Sequence, residues 1–190
     1  MHFATSTSDF SKHLSVSSIL LCKLVPQQQL QQQRPNPEQV AAYLARAALD
    51  PNTLALAACV LESLSSSFVR SWRKACEKAR SPTIATFRSD PLKAELIVLG
   101  ALAIAQSYLH DTPGNPKWWS KYVSRKTVEA RDIAATTNCI LQDIDYGLMS
   151  FTMDDLEEKK QEMVAEGERG VRSGKAVLNE GQLTPDESPW

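Results

Sequence analysis

Histidine is scarce, and His2, His13 and His110 stand far apart. A metal cluster or a histidine-activated nucleophile needs several converging groups of this kind, so no metal, cofactor or such nucleophile is expected. The four cysteines, Cys22, Cys59, Cys76 and Cys139, form no C-x-x-C pair, and two of them fall inside helical apolar patterns. Reduced, packed thiols follow. No apolar run approaches the roughly 20 residues of a membrane span, the longest clean one being Leu96 to Ala105. Charge of either sign is also not in excess, since 21 Lys and Arg face 22 Asp and Glu for a net charge of −1. That balance supplies no long-range field for nucleic acid or an anionic membrane. The expectation is a soluble, intracellular protein of nucleus and/or cytoplasm, without a membrane partner and with no nucleic acid as its main target.

The segment Gly170-Val-Arg-Ser-Gly174-Lys175-Ala176 has the flavour of a phosphate loop, but its spacing is short, no Ser or Thr follows Lys175, and no strand pattern precedes it. Most carboxylates lie in the charged C-terminal segment, where solvated side chains are the rule. No catalytic residue is assigned, and an enzyme is not expected.

What the chain does have is enough apolar content, 43% of 190 residues, for one core of ordinary size. Three regions follow from composition. Residues 1–35 form a Ser/Gln-rich arm ending in Gln27-Gln-Gln-Leu-Gln-Gln-Gln33, read as disordered because it buries too little apolar surface to offset chain entropy. Its Lys12, Lys23 and Arg34 with few acids make a mitochondrial transit peptide the less favoured alternative. Residues 36–150 carry the core. Residues 151–190 are a charged tail, partly helical through Leu156, Met163 and Val164, then disordered where Gly167, Gly170, Gly174 and Gly181 accumulate.

Within the core region one start signal recurs, an Asn or Asp able to cap a helix followed by Pro, whose missing N–H costs nothing at the first helical position. It stands at Asn36, Asp50, Asp90 and Asn115. Gln39 completes a capping-box variant with Asn36, and Val40, Tyr43, Leu44 and Ala47 make the first apolar stripe. A second helix from Pro51 continues or restarts to carry Phe68 and Trp72. The third, apolar all round from Leu96 to Ala105, has to be a central buried rod. Trp118 and Trp119 are adjacent, so one of them packs inward. Thr127 is a cap candidate, with Glu129 in the first turn, for a closing helix whose stripe is Ile133, Ile140, Leu141, Ile144 and Leu148. The fold class is therefore all-α.

Three stretches in this order resemble a cyclin box: Thr53-Leu-Ala-Leu-Ala-Ala-Cys-Val-Leu-Glu-Ser-Leu-Ser-Ser66 as its second helix, Leu99-Gly-Ala-Leu-Ala-Ile-Ala-Gln-Ser-Tyr-Leu-His-Asp111 as its third, and Ile140-Leu-Gln-Asp-Ile-Asp-Tyr-Gly-Leu148 as the end of its fifth. Leu64-Ser-Ser-Ser-Phe-Val-Arg-Ser-Trp72 and the Pro/Trp connector are most similar to fungal single-box cyclins. The resemblance, over about residues 37–148, implies a five-helix cyclin box and a regulatory subunit that binds, and in the fuller case activates, a cyclin-dependent protein kinase of the cell cycle. It puts Ile104, Ser107 and Tyr108 of the third helix, and Thr137, Asn138, Leu141, Tyr146 and Leu148 of the fifth, on the kinase-facing surface. For Ile104, Leu141 and Leu148 a plain core role is the competing reading. Many kinase-activating cyclins have Lys where Ser107 stands and Glu where Thr137 stands. Each such charged bond contributes on the order of 1.5 to 3 kcal/mol, so the resemblance implies kinase binding more directly than kinase activation.

The alternative is a cyclin-fold adaptor without kinase activation, for example in transcription, working through the basic run from Arg70 to Arg88. In the tail, Leu183-Thr-Pro-Asp-Glu-Ser-Pro189 offers Thr184 and Ser188 as proline-directed phosphorylation sites, spaced as a ubiquitin-ligase adaptor would read them.

Overall fold

Each Asn-Pro or Asp-Pro signal that falls in a described segment begins a helix. Asn36 Oδ1 accepts from Glu38 N (2.9 Å), Asp50 Oδ1 from Asn52 N (2.9 Å) and Thr53 N (3.1 Å), and Asn115 Oδ1 from Lys117 N (3.0 Å). The structure, a computed structural model, describes residues 7–27, 34–80, 92–111 and 114–177, with side chains over 14–27, 34–80, 92–111 and 114–169. Asp90, Arg88, most of the glutamine run, Thr184 and Ser188 lie outside the described residues.

All regular structure among the described residues is helical. In chain order the helices are α1 (Thr7–Leu24), α2 (Pro37–Ala47), α3 (Pro51–Glu62), α4 (Phe68–Ala79), α5 (Glu95–His110), α6 (Pro116–Trp118) running into a π-helical turn (Trp119–Val123), α7 (Ala130–Asp143), a 3-10 turn (Gly147–Ser150), and α8 (Met153–Val177). None of them is long and apolar enough to cross a membrane.

The expected rod is α5. Every residue from Leu96 to Ala105 is buried, with α3 packed on one side, α7 on another, and α1 and α2 completing the wrap. The backbone N–H of Asn36 is held by Glu95 Oε1 (2.8 Å), so the first turn of the rod, and not Gln39, completes the cap of α2. At the other end His110 Nε2 hydrogen-bonds Asp50 Oδ2 (2.8 Å), fixing the C-terminus of α5 to the N-terminus of α3.

The α5–α7 crossing is close because Gly100 has no side chain. A Cβ there would stand 2.8 Å from Thr136 Cγ2 and 3.1 Å from Ile140 Cδ1. Thr136 cannot turn its methyl away, since its hydroxyl donates to Asp132 O (2.7 Å) and accepts from Trp72 Nε1 (2.8 Å). The buried Asp132 carboxylate is in turn gripped by Arg80, from Nε (3.0 and 3.1 Å) and Nη2 (2.6 Å). Helix α4 thus runs antiparallel to α7, bonded to it at Ser65–Asp143, Trp72–Thr136 and Arg80–Asp132.

Three expectations need correction. The arm is not disordered from Thr7 to Leu24: that stretch is α1, with Leu14, Leu20, Leu21, Cys22 and Val25 in the core. Ser17 and Ser18 share the buried face, at 0% and 1% exposure, so part of the inward stripe is written in serine and escapes a count of apolar residues. Ser18 stays satisfied by donating to Ser15 O (2.7 Å). The tail does not stop at Gly167, because α8 continues to Val177 and uses that glycine to cross α1, where a Cβ would sit 3.3 Å from Val16 Cγ2. Of the two courses open to the second helix, the chain restarts, as α3 and then α4. Finally, Glu129 itself occupies the N-cap of α7 without a side-chain cap bond, while Thr127 Oγ1 donates to Ser124 O (2.6 Å).

The crossing yields a direct expectation. Gly100→Ala gains about 1 kcal/mol of helix propensity but meets an overpacking cost of roughly 1 to 3 kcal/mol, and should lower stability in chemical denaturation. Thr136→Ser, which keeps the hydroxyl and removes the offending methyl, should recover most of that loss in the double variant; a Gly100→Ala protein as stable as the parent would overturn the close-crossing account.

Candidate functional site

An apolar groove of about 350 Å3 lies between the C-terminal half of α5 and α7. Ala103, Ile104, Ser107 and Tyr108 form one wall and Ile133, Thr137 and Leu141 the other. Gly114, Pro116 and Trp119 close one end, and Leu148 of the 3-10 turn also lines it. Of the eight residues singled out from the sequence, six line this one groove. Asn138 and Tyr146 are exposed and lie outside its lining, Tyr146 at 63% exposure.

The local backbone explains that division. Helix α7 stops at Asp143, and Asp145 (φ 50°) and Tyr146 (φ 57°) are left-handed, so the closing helix does not reach Leu148 as its stripe predicts. The reversal bonds Tyr146 N to Leu141 O (2.8 Å) and Gly147 N to Ile144 O (2.9 Å). It returns Leu148 to the groove and leaves Tyr146 in solvent. Ile104, at 6% exposure, is both core and groove floor.

The groove is poor in free hydrogen-bond donors. Ser107 Oγ donates to Ala103 O (2.8 Å) and Thr137 Oγ1 to Ala134 O (2.9 Å), so both hydroxyls spend their proton on their own helix and offer only lone pairs to a visitor. Gly114 passes so close that a Cβ would lie 2.6 Å from Ser107 Oγ. The contribution of Gly114, Pro116 and Trp119 was not foreseen, although the adjacent tryptophans were the available signal. Trp119 is buried, and Trp118, half-buried, meets it edge to face at 5.4 Å between ring centroids. Tyr108, at 42% exposure, stands at the groove mouth.

Other chemistry is used up in structure. All four thiols are buried and free; burial, aided by Glu95, pushes Cys22 up to about 12, and burial leads in raising Cys59 and Cys139 to about 11 and Cys76 above its ordinary value. At neutral pH they are neutral thiols, poor nucleophiles. Among the described residues no group of three His, Cys, Asp or Glu side chains could hold a metal ion. In the basic run, Arg70, Lys74 and Lys78 face solvent on α4, while Arg80 is committed to Asp132.

Compared with known protein families, with curated proteins and with solved structures, the chain matches none.

The tie between Asp50 and His110 sets the position of the groove-bearing end of α5. Burial opposes ionisation of Asp50, yet hydrogen bonds from Thr53, His110 and the N–H groups of Thr53 and Asn52 outweigh it and bring the carboxyl down from 3.8 to about 2. A depressed carboxyl contributes stability that is complete above its unfolded value and lost as pH falls toward the folded one. The thermal midpoint should therefore drop between pH values of about 4 and 2, and Asp50→Asn should show a smaller drop over the same interval; an identical acid profile in the variant would refute the assignment.

Proposed function

We propose that this protein is a cyclin-like regulatory subunit that docks a cyclin-dependent protein kinase on the α5–α7 groove. The observation that carries the reading is the convergence, on one apolar concavity, of six residues picked out by the sequence resemblance. Ile104, Ser107, Tyr108, Thr137, Leu141 and Leu148 come from three elements, and nothing in simple helical periodicity requires the last of them to share a surface with the first. Support also comes from the exposed aromatics. Tyr108 and Tyr146 present an apolar body with a polar tip, the kind of group that anchors interfaces.

The groove's chemistry favours docking over activation. Where related activators are expected to place two charges, this chain has two hydroxyls already bonded to their own helices, so the partner is held by apolar contact and by whatever donors it brings. A kinase helix offering aliphatic side chains fits such a surface.

The tagged full-length protein, purified from its native cells, should carry a cyclin-dependent kinase identified by mass spectrometry, with activity assayed separately in the eluate. Tyr108→Glu combined with Tyr146→Glu, both at exposed positions, should cut that recovery by about tenfold or more without changing the thermal midpoint. Ser107→Lys and Thr137→Glu should retain it. Absence of any such kinase, or recovery indifferent to the tyrosine substitutions, would overturn the proposal.

A further inference from the structure

Four segments deliver cations to one end of the bundle. Lys117 comes from α6, Lys121 from the π-helical turn, Arg125 and Lys126 from the turn after it, and Arg46 from the last turn of α2, which packs on the π-helical turn. The guanidinium of Arg46 is pushed down by burial first and then by the like charge of Arg125. Lys126 is held in place through its backbone, which is left-handed (φ 62°) and donates from N to Ser120 O (2.7 Å). Gathering like charges costs a fold stability, and a chain of net charge −1 has no compositional reason to do so.

Lys117, Lys121 and Lys126 line one open concavity of about 580 Å3 together with Ser120, Val128, Glu129 and Ala130. The other polar groups there are engaged. Ser120 Oγ donates to Val128 O (2.7 Å), and the one carboxylate in the lining, Glu129, is taken by Arg131 Nε (2.7 Å). None of the three lysines is ion-paired among the described residues. All three are exposed.

We infer that this concavity is a docking site for a phosphorylated peptide, with the phosphate seated among Lys117, Lys121 and Lys126. A phosphate brings a charge near −2 and three acceptor oxygens, which matches several ammonium groups around one hollow; a carboxylate, with a single charge, does not need them. A nucleic-acid strand fits less well. Strand binders pair a long basic groove with open aromatic faces for stacking, whereas here Trp119 is buried, Trp118 packs on it, and Lys121 Nζ lies 4.9 Å over the Tyr122 ring. The site is separate from the kinase-docking groove, because α6 and its π-helical turn send Pro116 and Trp119 to the groove and Lys117, Ser120 and Lys121 to the concavity.

The test is fluorescence anisotropy on the full chain at low ionic strength, with a labelled degenerate peptide mixture carrying a fixed central phosphothreonine. The same mixture with threonine or glutamate at that position serves for comparison. The phosphorylated mixture should bind about tenfold or more tightly than either counterpart and be displaced by inorganic phosphate. The triple substitution Lys117→Gln, Lys121→Gln and Lys126→Asn, the last chosen because Asn tolerates left-handed backbone, should weaken binding by about tenfold or more with an unchanged thermal midpoint. Arg70→Gln with Lys74→Gln on α4 should leave it unaltered. No preference for phosphate, indifference to the lysine substitutions, or tighter binding of a single-stranded oligothymidylate or of phosphatidylserine vesicles would each overturn the inference.

Discussion

The contact on which the rest of this molecule depends is the near-touching passage of α7 over α5 at Gly100 and Thr136. Because one residue has no side chain, the second has to fill the space with a methyl, and that methyl is aimed by a hydroxyl engaged on both sides. The same hydroxyl draws Trp72, and so α4, onto α7, and Arg80 with Asp132 closes the line at its far end. Breaking one partner of a buried ion pair costs more than replacing both, because the survivor is left desolvated and alone. Three helices are therefore set by one short chain of polar contacts. The groove between α5 and α7 is what remains where the two helices are no longer in such close contact, toward the C-terminal end of α5.

A second group of contacts holds the opposite side. Helix α8 lies across α1 and α3, inserting Leu156 and Met163, and it carries a lysine into the interface. Lys159 is only 7% exposed and bonds Glu62 of α3 (2.8 Å) and Glu162 of its own helix (2.9 Å). Burial works against its charge, but the two carboxylates prevail and its affinity for the proton rises. Lys23 of α1 reaches Glu166 of α8 in the same way at the surface. The two outer helices thus hold each other as well as the core, which accounts for order in segments whose composition argues against it.

How much of this was legible before any coordinates depends on the physical signal each part leaves. The rod was plain, since a stretch apolar on every side has only one place to go, and Leu96 to Ala105 is buried without exception. Helix starts at Asn36, Asp50 and Asn115 were equally plain, because capping chemistry is local. Helix α1 was missed because Ser17 and Ser18 occupy core positions with their hydroxyls satisfied, on Met163 Sδ and on Ser15 O, which no hydropathy pattern registers. The length of α8 was missed because Gly167 reads as a breaker until its role at a helix crossing is seen. At the groove, five of the residues singled out on α5 and α7 share the lining while Asn138 does not, the end formed by Gly114, Pro116 and Trp119 depends on how a connector folds back, and the left-handed pair Asp145 and Tyr146 that redirects Leu148 has no signature in periodicity. The lysine concavity is the extreme case. Its lining falls within residues 117–130, but the three lysines meet only through the π-helical turn and the left-handed turn after it, which periodicity does not register.

The four buried thiols have a practical corollary. Cys22 lies in the last turn of α1, Cys59 in α3, Cys76 in α4 and Cys139 in α7, so each marks a different helix, and each is both shielded and protonated in the native state. Alkylating reagents can reach a given sulfur only when its helix lifts away from its neighbours. The order in which the four sites acquire label would accordingly chart the hierarchy of local openings in this fold, with natural amino acids as the only reporters.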